Sequence, residues 1–81
     1  MTFQEFKSIV TDNCFEGEIT PSPEQFSHTE GTYTHEYRGE SFYQMIRYNI
    51  SANEWMLLIN EKHSTTPSVL GFGATLDDCI D

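Results

Sequence analysis

Residues 32–62 constrain the fold most, because they predict three consecutive antiparallel strands joined by two short loops. Gly39-Glu40 suits a two-residue hairpin loop, since glycine adopts the positive φ that a type II′ turn needs at its first central position. Residues 51–54 have the composition of a four-residue loop. Together these signals predict an antiparallel meander.

The two loops also predict which residues lie opposite each other. Around the first loop, Tyr37 is expected opposite Phe42 and His35 opposite Gln44. Around the second loop, Gln44 is expected opposite Glu61. Directly opposed side chains share one face of a sheet, so the two registers can be compared, and they agree. The apolar side chains of the predicted core face are Tyr33, Tyr37, Phe42, Ile46, Tyr48, Ile50, Trp55, Leu57 and Ile59.

The flanking segments predict an α+β fold. Thr2 and Glu5 match a capping box, and the apolar residues that follow recur at helical spacing, which predicts an N-terminal helix packed on the core face. Residues 68–72 predict a fourth strand, and Thr75 suits the N-cap of a short C-terminal helix. We therefore expect residues 1–81 to form one domain, with the first helix on a three- to four-stranded antiparallel meander.

Residues 15–31 give weaker signals. Residues 18–20 suit a short edge strand, and the prolines of residues 21–23 interrupt regular structure. Phe26 is expected to anchor this loop on the core. The N-terminus lacks a basic region followed by an apolar run, and no stretch approaches the roughly 20 apolar residues of a membrane span. A cytoplasmic location is expected, in the host cell if the protein is phage-encoded.

Charge separates the classes of function. Four Lys plus Arg against 13 Asp plus Glu give a formal net charge of −9. Direct binding to nucleic acid is not expected, because phosphate contacts need clustered basic residues. A basic protein partner is favoured instead, because long-range attraction speeds association with an acidic chain.

The metal-binding residue types do not form a recognisable site in the sequence. Neither Cys14 nor Cys79 belongs to a zinc-type cysteine pair, and both are expected to be reduced thiols. His28, His35 and His63 lack the spacing of a helical ligand pair. We predict no metal and no cofactor.

One row of the predicted sheet offers a catalytic hypothesis. His35, Gln44 and Glu61 fall side by side, and a histidine oriented by an amide and a carboxylate can act as a general base. The alternative is a hydrogen-bonded row at the rim of the core. The alternative is favoured because neither a nucleophile nor a phosphate-binding loop accompanies the row, so no catalytic residue is assigned.

The acidic residues and the back of the sheet predict a binding surface. Carboxylates that project from every second residue of a strand lie about 6.6 Å apart, near the spacing of backbone phosphates, which suggests nucleic-acid mimicry. An ordinary solvated acidic surface is the alternative. On the back of the sheet, Tyr43, Met45 and Arg47 are of types enriched at interfaces, and Met56 and Leu58 share that face. A partner or a second copy of the chain would cover this face, unless residues 15–31 fold over it. The predicted partner-binding residues are Glu16, Glu18, Glu30, Glu36, Glu40, Tyr43, Met45, Asp77, Asp78 and Asp81.

Two resemblances accompany these patterns. Residues 73–78 resemble the strand-to-helix step of small antitoxins. The small, acidic α+β profile is similar in kind to phage-encoded inhibitors of host defence nucleases, such as anti-CRISPR or anti-restriction proteins, on the basis of charge and size. The first hypothesis is therefore a non-enzymatic inhibitor of a basic nuclease or nucleic-acid-binding complex. The second is an antitoxin or immunity protein for a basic toxin, and the third is a small enzyme or ligand-binding domain that uses the histidine row.

Overall fold

The computed structural model describes residues 1–13 and 21–79, which form one α-helix and a five-stranded antiparallel sheet. The elements are α1 (Phe3–Asp12), a first 3-10 turn (Pro23–Gln25), β1 (Phe26–Thr29), β2 (Thr32–Arg38), β3 (Phe42–Asn49), β4 (Glu54–Glu61), β5 (Val69–Gly73) and a second 3-10 turn (Asp77–Cys79). The strands follow chain order across the sheet. The predicted α+β class is confirmed, with more strands than expected.

Helix α1 begins as the sequence predicts. Thr2 Oγ1 accepts a hydrogen bond from the Glu5 backbone N–H (3.1 Å), and the Glu5 carboxylate accepts one from the Thr2 N–H (3.0 Å). Hydrogen bonding of the carboxylate to Thr2, chiefly to its backbone N–H, lowers the pKa of Glu5. Phe6 and Val10 are buried, and the Phe6 ring stacks on Trp55 with centroids 5.4 Å apart. The helix therefore packs its apolar stripe on the core face of the sheet.

The predicted register of the first meander hairpin was wrong by two residues. The Gly39 N–H donates to the Phe42 carbonyl (2.9 Å), so residues 40–41 form the loop and Tyr37 lies opposite Gln44. Gly39 closes the strand pair and does not occupy the first loop position with positive φ. A Cβ on Gly39 would lie 2.5 Å from the Tyr37 ring, so the ring packs closely over this glycine and would have to shift to admit a larger residue.

The second hairpin shows the same displacement. Its loop has the predicted four residues but spans residues 50–53, so Asn49 lies opposite Glu54. The Asn49 side chain accepts a hydrogen bond from the Ala52 backbone N–H (3.2 Å), and Asn53 takes a φ of +51°. Asparagine suits both positions, because its side-chain amide can accept a hydrogen bond from a nearby backbone N–H and because it tolerates a left-handed backbone conformation.

Both registers move by two residues, so each side chain stays on its predicted face. The buried sheet residues all lie on the predicted core face: Tyr33, His35, Gln44, Ile46, Tyr48, Trp55 and Leu57. The row of His35, Gln44 and Glu61 is contradicted, however. His35 lies opposite Ile46, Gln44 lies opposite Tyr37, and exposed Glu61 lies opposite Phe42.

Strand β1 was not predicted. Its four residues pair with β2 and extend the sheet, so this part of residues 15–31 does not lie across the back of the sheet. Phe26, at the start of β1, packs against the core cluster as expected of an anchor. The edge strand predicted at residues 18–20 lies outside the described residues.

Strand β5 confirms the predicted fourth strand of the meander, displaced by one residue. Gly71 and Gly73 face the core side of the sheet, while Leu70 and Phe72 face the other side. A Cβ on Gly71 would collide with the Cys79 carbonyl. The glycines therefore allow the C-terminal segment to approach the strand closely.

The predicted C-terminal cap is present, but within the described residues it starts a 3-10 turn and not a helix. The Asp78 N–H donates to Thr75 Oγ1 (3.2 Å), and the Asp78 carboxylate accepts from the Thr75 N–H (3.3 Å). Leu76 and Cys79 are buried, so the turn closes the core over β5. The rest of the predicted C-terminal helix, residues 80–81, lies outside the described residues.

Candidate binding surfaces

The structure separates the predicted partner-binding residues into several places. Three lie on the sheet face opposite α1: Glu36, Tyr43 and Met45. Three lie at the sheet end that contains the β1–β2 turn: Glu30, Asp77 and Asp78. Glu40 lies in the β2–β3 loop at the other end. The remaining three lie outside the described residues and stay predictions: Glu16, Glu18 and Asp81.

We call the sheet face turned away from α1 the outer face. One row of opposed residues crosses it from β2 to β5: Glu36, Met45, Leu58 and Leu70. The next row contains Thr34, Arg47, Met56 and Phe72. Leu70 and Phe72 are 55% and 57% exposed. Within residues 1–13 and 21–79, helix α1 and the second 3-10 turn both pack on the opposite face, so neither covers this apolar surface.

Glu36 is already engaged within the chain. Arg38 Nη2 lies 2.8 Å from the Glu36 carboxylate, and the Tyr43 hydroxyl donates to the same oxygen (3.1 Å). Burial raises the pKa of Tyr43, and the hydrogen bond to Glu36 and its negative charge raise it further. Arg47 lies beside this group, with its Nη2 3.5 Å from Met45 Sδ. The acidic charge of Glu36 is therefore balanced by arginine on the outer face.

We call the end of the sheet that carries Glu30, Glu54, Asp77 and Asp78 the acidic end. It is built from the β1–β2 turn, the β3–β4 loop and the segment after β5. All four side chains are exposed. The three contributing segments, residues 29–32, 49–54 and 73–79, contain neither lysine nor arginine. Among the described residues, none of these four carboxylates forms an ion pair within 4.0 Å.

A backbone hydrogen bond and the surroundings of Cys79 link these segments. The Ile50 N–H donates to the Gly31 carbonyl (2.9 Å), which joins the β3–β4 loop to the β1–β2 turn. A shallow groove of about 260 Å³ separates the β3–β4 loop from the end of β5, and its lining includes Glu54 and Phe72. Burial raises the pKa of the Cys79 thiol, and the negative charges of Asp78 and Glu54 raise it further. Carboxylates from two segments thus act on one buried group.

Sequence reasoning missed Glu54, Leu70 and Phe72. The predicted β3–β4 loop included Glu54. The face pattern could not reveal this error, because a displacement of two residues leaves every side chain on its face. The capping ability of Asn49 was the signal that could have placed Glu54 on β4. Leu70 and Phe72 alternate with glycines, a pattern that could have assigned both side chains to one face.

His35 has a structural environment within the core. It is 1% exposed, and its Nε2 lies 3.1 Å from Gln25 Oε1, which also accepts the Ser22 N–H (3.0 Å). Because Oε1 is an acceptor, the Nε2 atom of neutral His35 carries the hydrogen. The other ring nitrogen, Nδ1, is buried without a hydrogen-bond partner among the described residues. Desolvation by burial lowers the pKa of His35.

This environment makes the stability of the fold depend on pH. The pKa of folded His35 lies below its ordinary value of 6.5, so the unfolded chain takes up the proton more readily. The contribution of neutral His35 to the free energy of unfolding should be fully present above about pH 6.5. It should be lost as the pH decreases through the lowered pKa. Urea unfolding midpoints on both sides of this pH test the effect. His35→Gln cannot take up this proton and should show a weaker pH dependence, and an unchanged dependence would contradict the role of His35.

Two features are absent from residues 1–13 and 21–79. No three His, Cys, Asp or Glu side chains come together in a way that could hold a metal ion. No helix in these ranges has the length and apolar character needed to cross a membrane.

Comparison with known proteins adds no family to this description. No family model matches the chain, and no curated protein and no solved structure is significantly similar to it.

Proposed function

We propose that this protein is a small non-enzymatic inhibitor that binds a basic nucleic-acid-handling protein, such as a nuclease, and occupies the surface that holds nucleic acid. The acidic end presents carboxylates where the partner would otherwise bind phosphates. This arrangement makes the protein a nucleic-acid mimic in charge.

The observation that carries this proposal is the concentration of exposed carboxylates at the acidic end. Among the described residues, the Glu36–Arg38 contact is the only ion pair within 4.0 Å. Glu30, Glu54 and Asp77 therefore remain available to lysine or arginine of a partner. Such pairs across an interface steer encounter and orient the partner, and their contribution decreases as salt screens it.

The carboxylates lie mainly on turns and loops and do not follow one strand at every second residue. Glu30 is in the β1–β2 turn, Glu54 begins β4, and Asp77 begins the second 3-10 turn. A partner that reads the phosphate backbone by charge would accept carboxylates spread across one end of the sheet, because electrostatic recognition does not require base contacts. The mimicry proposal therefore rests on a charged sheet end.

Capture from a bacterial lysate tests the proposal. The full chain is immobilised at low salt, and bound protein is eluted by increasing salt. We expect a nuclease or nucleic-acid-binding protein that elutes steeply with salt, because charged contacts are screened. A specific partner that resists high salt would contradict the electrostatic proposal. Recovery of a basic toxin that handles no nucleic acid would replace it with the antitoxin hypothesis.

A further inference from the structure

We propose that the outer face is the interface of a homodimer, in which a second copy of the chain packs sheet against sheet. The outer face is a different surface from the acidic end, and dimer formation goes beyond the proposed function. The outer face exposes Leu70 and Phe72 beside the half-buried side chains of Met45, Met56 and Leu58. Contiguous exposed apolar side chains mark association surfaces in small proteins.

The charge on the outer face favours a second copy over a basic partner. The face carries Arg38 and Arg47, half of the chain's four basic residues, although the whole chain has a net charge of −9. Glu36 is paired with Arg38, and Glu54 borders the face at the acidic end. A basic partner gains little attraction on such a surface, whereas a second copy meets no excess of like charge there.

One two-fold arrangement suits both the side chains and the charges. The two-fold axis lies midway between the two packed sheets, parallel to them and perpendicular to the strands. It runs between the row that contains Leu70 and the row that contains Phe72, so each of these rows faces the other row of the second subunit. Leu70 then packs on Phe72 of the partner subunit, and Leu58 packs on Met56 of the partner subunit. Packed sheets lie about 10 Å apart, a distance that such side chains fill.

The same axis arranges the charged residues favourably. Arg47 lies one strand away from Glu36 and in the neighbouring row, so the rotation brings Arg47 beside Glu36 of the partner subunit. Symmetry makes this contact twice. The rotation also places the two acidic ends at opposite ends of the dimer, which limits their mutual repulsion. An axis parallel to the strands would place the two acidic ends together.

The test uses the molar mass of the full chain and two double variants, measured by light scattering after size exclusion. The wild-type chain should form a dimer of twice its 9.4 kDa mass, and added salt should not dissociate it. Leu70→Lys/Phe72→Lys and Leu70→Glu/Phe72→Glu should each be monomeric, because like charges would meet across the interface. An equimolar mixture of the two variants should form a dimer at low salt. The proposal would be overturned if the wild-type chain were monomeric at all concentrations. It would also be overturned if each double variant alone formed a dimer as readily as the wild-type chain.

A second pair of variants keeps the apolar residues intact. Arg47→Glu should raise the dissociation constant of the dimer roughly tenfold. The two-fold axis makes the contact between Arg47 and Glu36 of the partner subunit twice, so the substitution removes two ion pairs. Lys7→Glu makes the same charge change on α1, which packs on the opposite face of the sheet, and should leave the dimer unaffected. Equal dimer affinities for these two variants would overturn the proposed arrangement. Loss of the dimer leaves salt-dependent capture through the acidic end unchanged, so failure of this inference is distinguishable from failure of the proposed function.

Discussion

Phe6→Ala is expected to lower the free energy of unfolding by about 3–5 kcal/mol, a large part of the roughly 4–12 kcal/mol available to a domain of this size. Phe6 is completely buried. Its ring centroid lies 5.4 Å from that of Trp55, 5.6 Å from that of Tyr33 and 6.2 Å from that of Phe26. The substitution would leave a cavity between α1 and the sheet. Urea unfolding followed by fluorescence of Trp55, the single tryptophan, measures the loss.

Phe72→Ala provides the matched control, because it removes the same atoms from a side chain that is 57% exposed. At high dilution, where a dimer would dissociate, it should lower the free energy of unfolding by less than about 1 kcal/mol. Equal destabilisation by the two substitutions would contradict the assignment of the core and outer faces.

The triple variant Glu30→Lys/Glu54→Lys/Asp77→Lys should weaken binding to the captured basic partner at least roughly a hundredfold. Each replacement removes an attraction and adds a like charge to the interface, and every 1.4 kcal/mol changes the dissociation constant about tenfold. Asp78 is left unchanged because it caps the second 3-10 turn through Thr75. Titration calorimetry with the purified partner at low salt measures the dissociation constants.

Glu24→Lys/Glu40→Lys/Glu61→Lys is the control for this prediction. It makes the same change in net charge at exposed positions away from the acidic end. A similar loss of affinity in both triple variants would show that total charge and not the acidic end determines binding. Circular dichroism of both variants checks that the fold is retained.

The faces of the meander could be predicted from the sequence, because their two-residue period is enforced by burial. Ile46 and Leu57 must lie on one side and Arg47 on the other in any register that keeps the core dry. The register itself could not be predicted from this pattern, because a displacement by two residues keeps every side chain on its face. Two contacts accompany the observed register, the Tyr37 ring over Gly39 and the bond from the Ala52 N–H to Asn49, and only the second is a local signal that the sequence could have supplied.

Other elements depend on partners distant in sequence. Strand β1 has little alternation of its own and forms because β2 provides a paired edge, on which Phe26 reaches the core. The candidate site was predicted only in part for the same reason. The charge pattern identified Glu30 and Asp77, but the acidic end requires Glu54, whose place depends on the β3–β4 register.

Competition between this protein and DNA for the captured partner tests the central proposal most directly. The partner is saturated with a fluorescently labelled DNA duplex at low salt, and the protein is added in increasing amounts. If the acidic end occupies the nucleic-acid surface, the protein displaces the duplex and the fluorescence anisotropy falls to that of free DNA. A stable ternary complex, in which partner, duplex and protein remain bound together, would contradict the proposal.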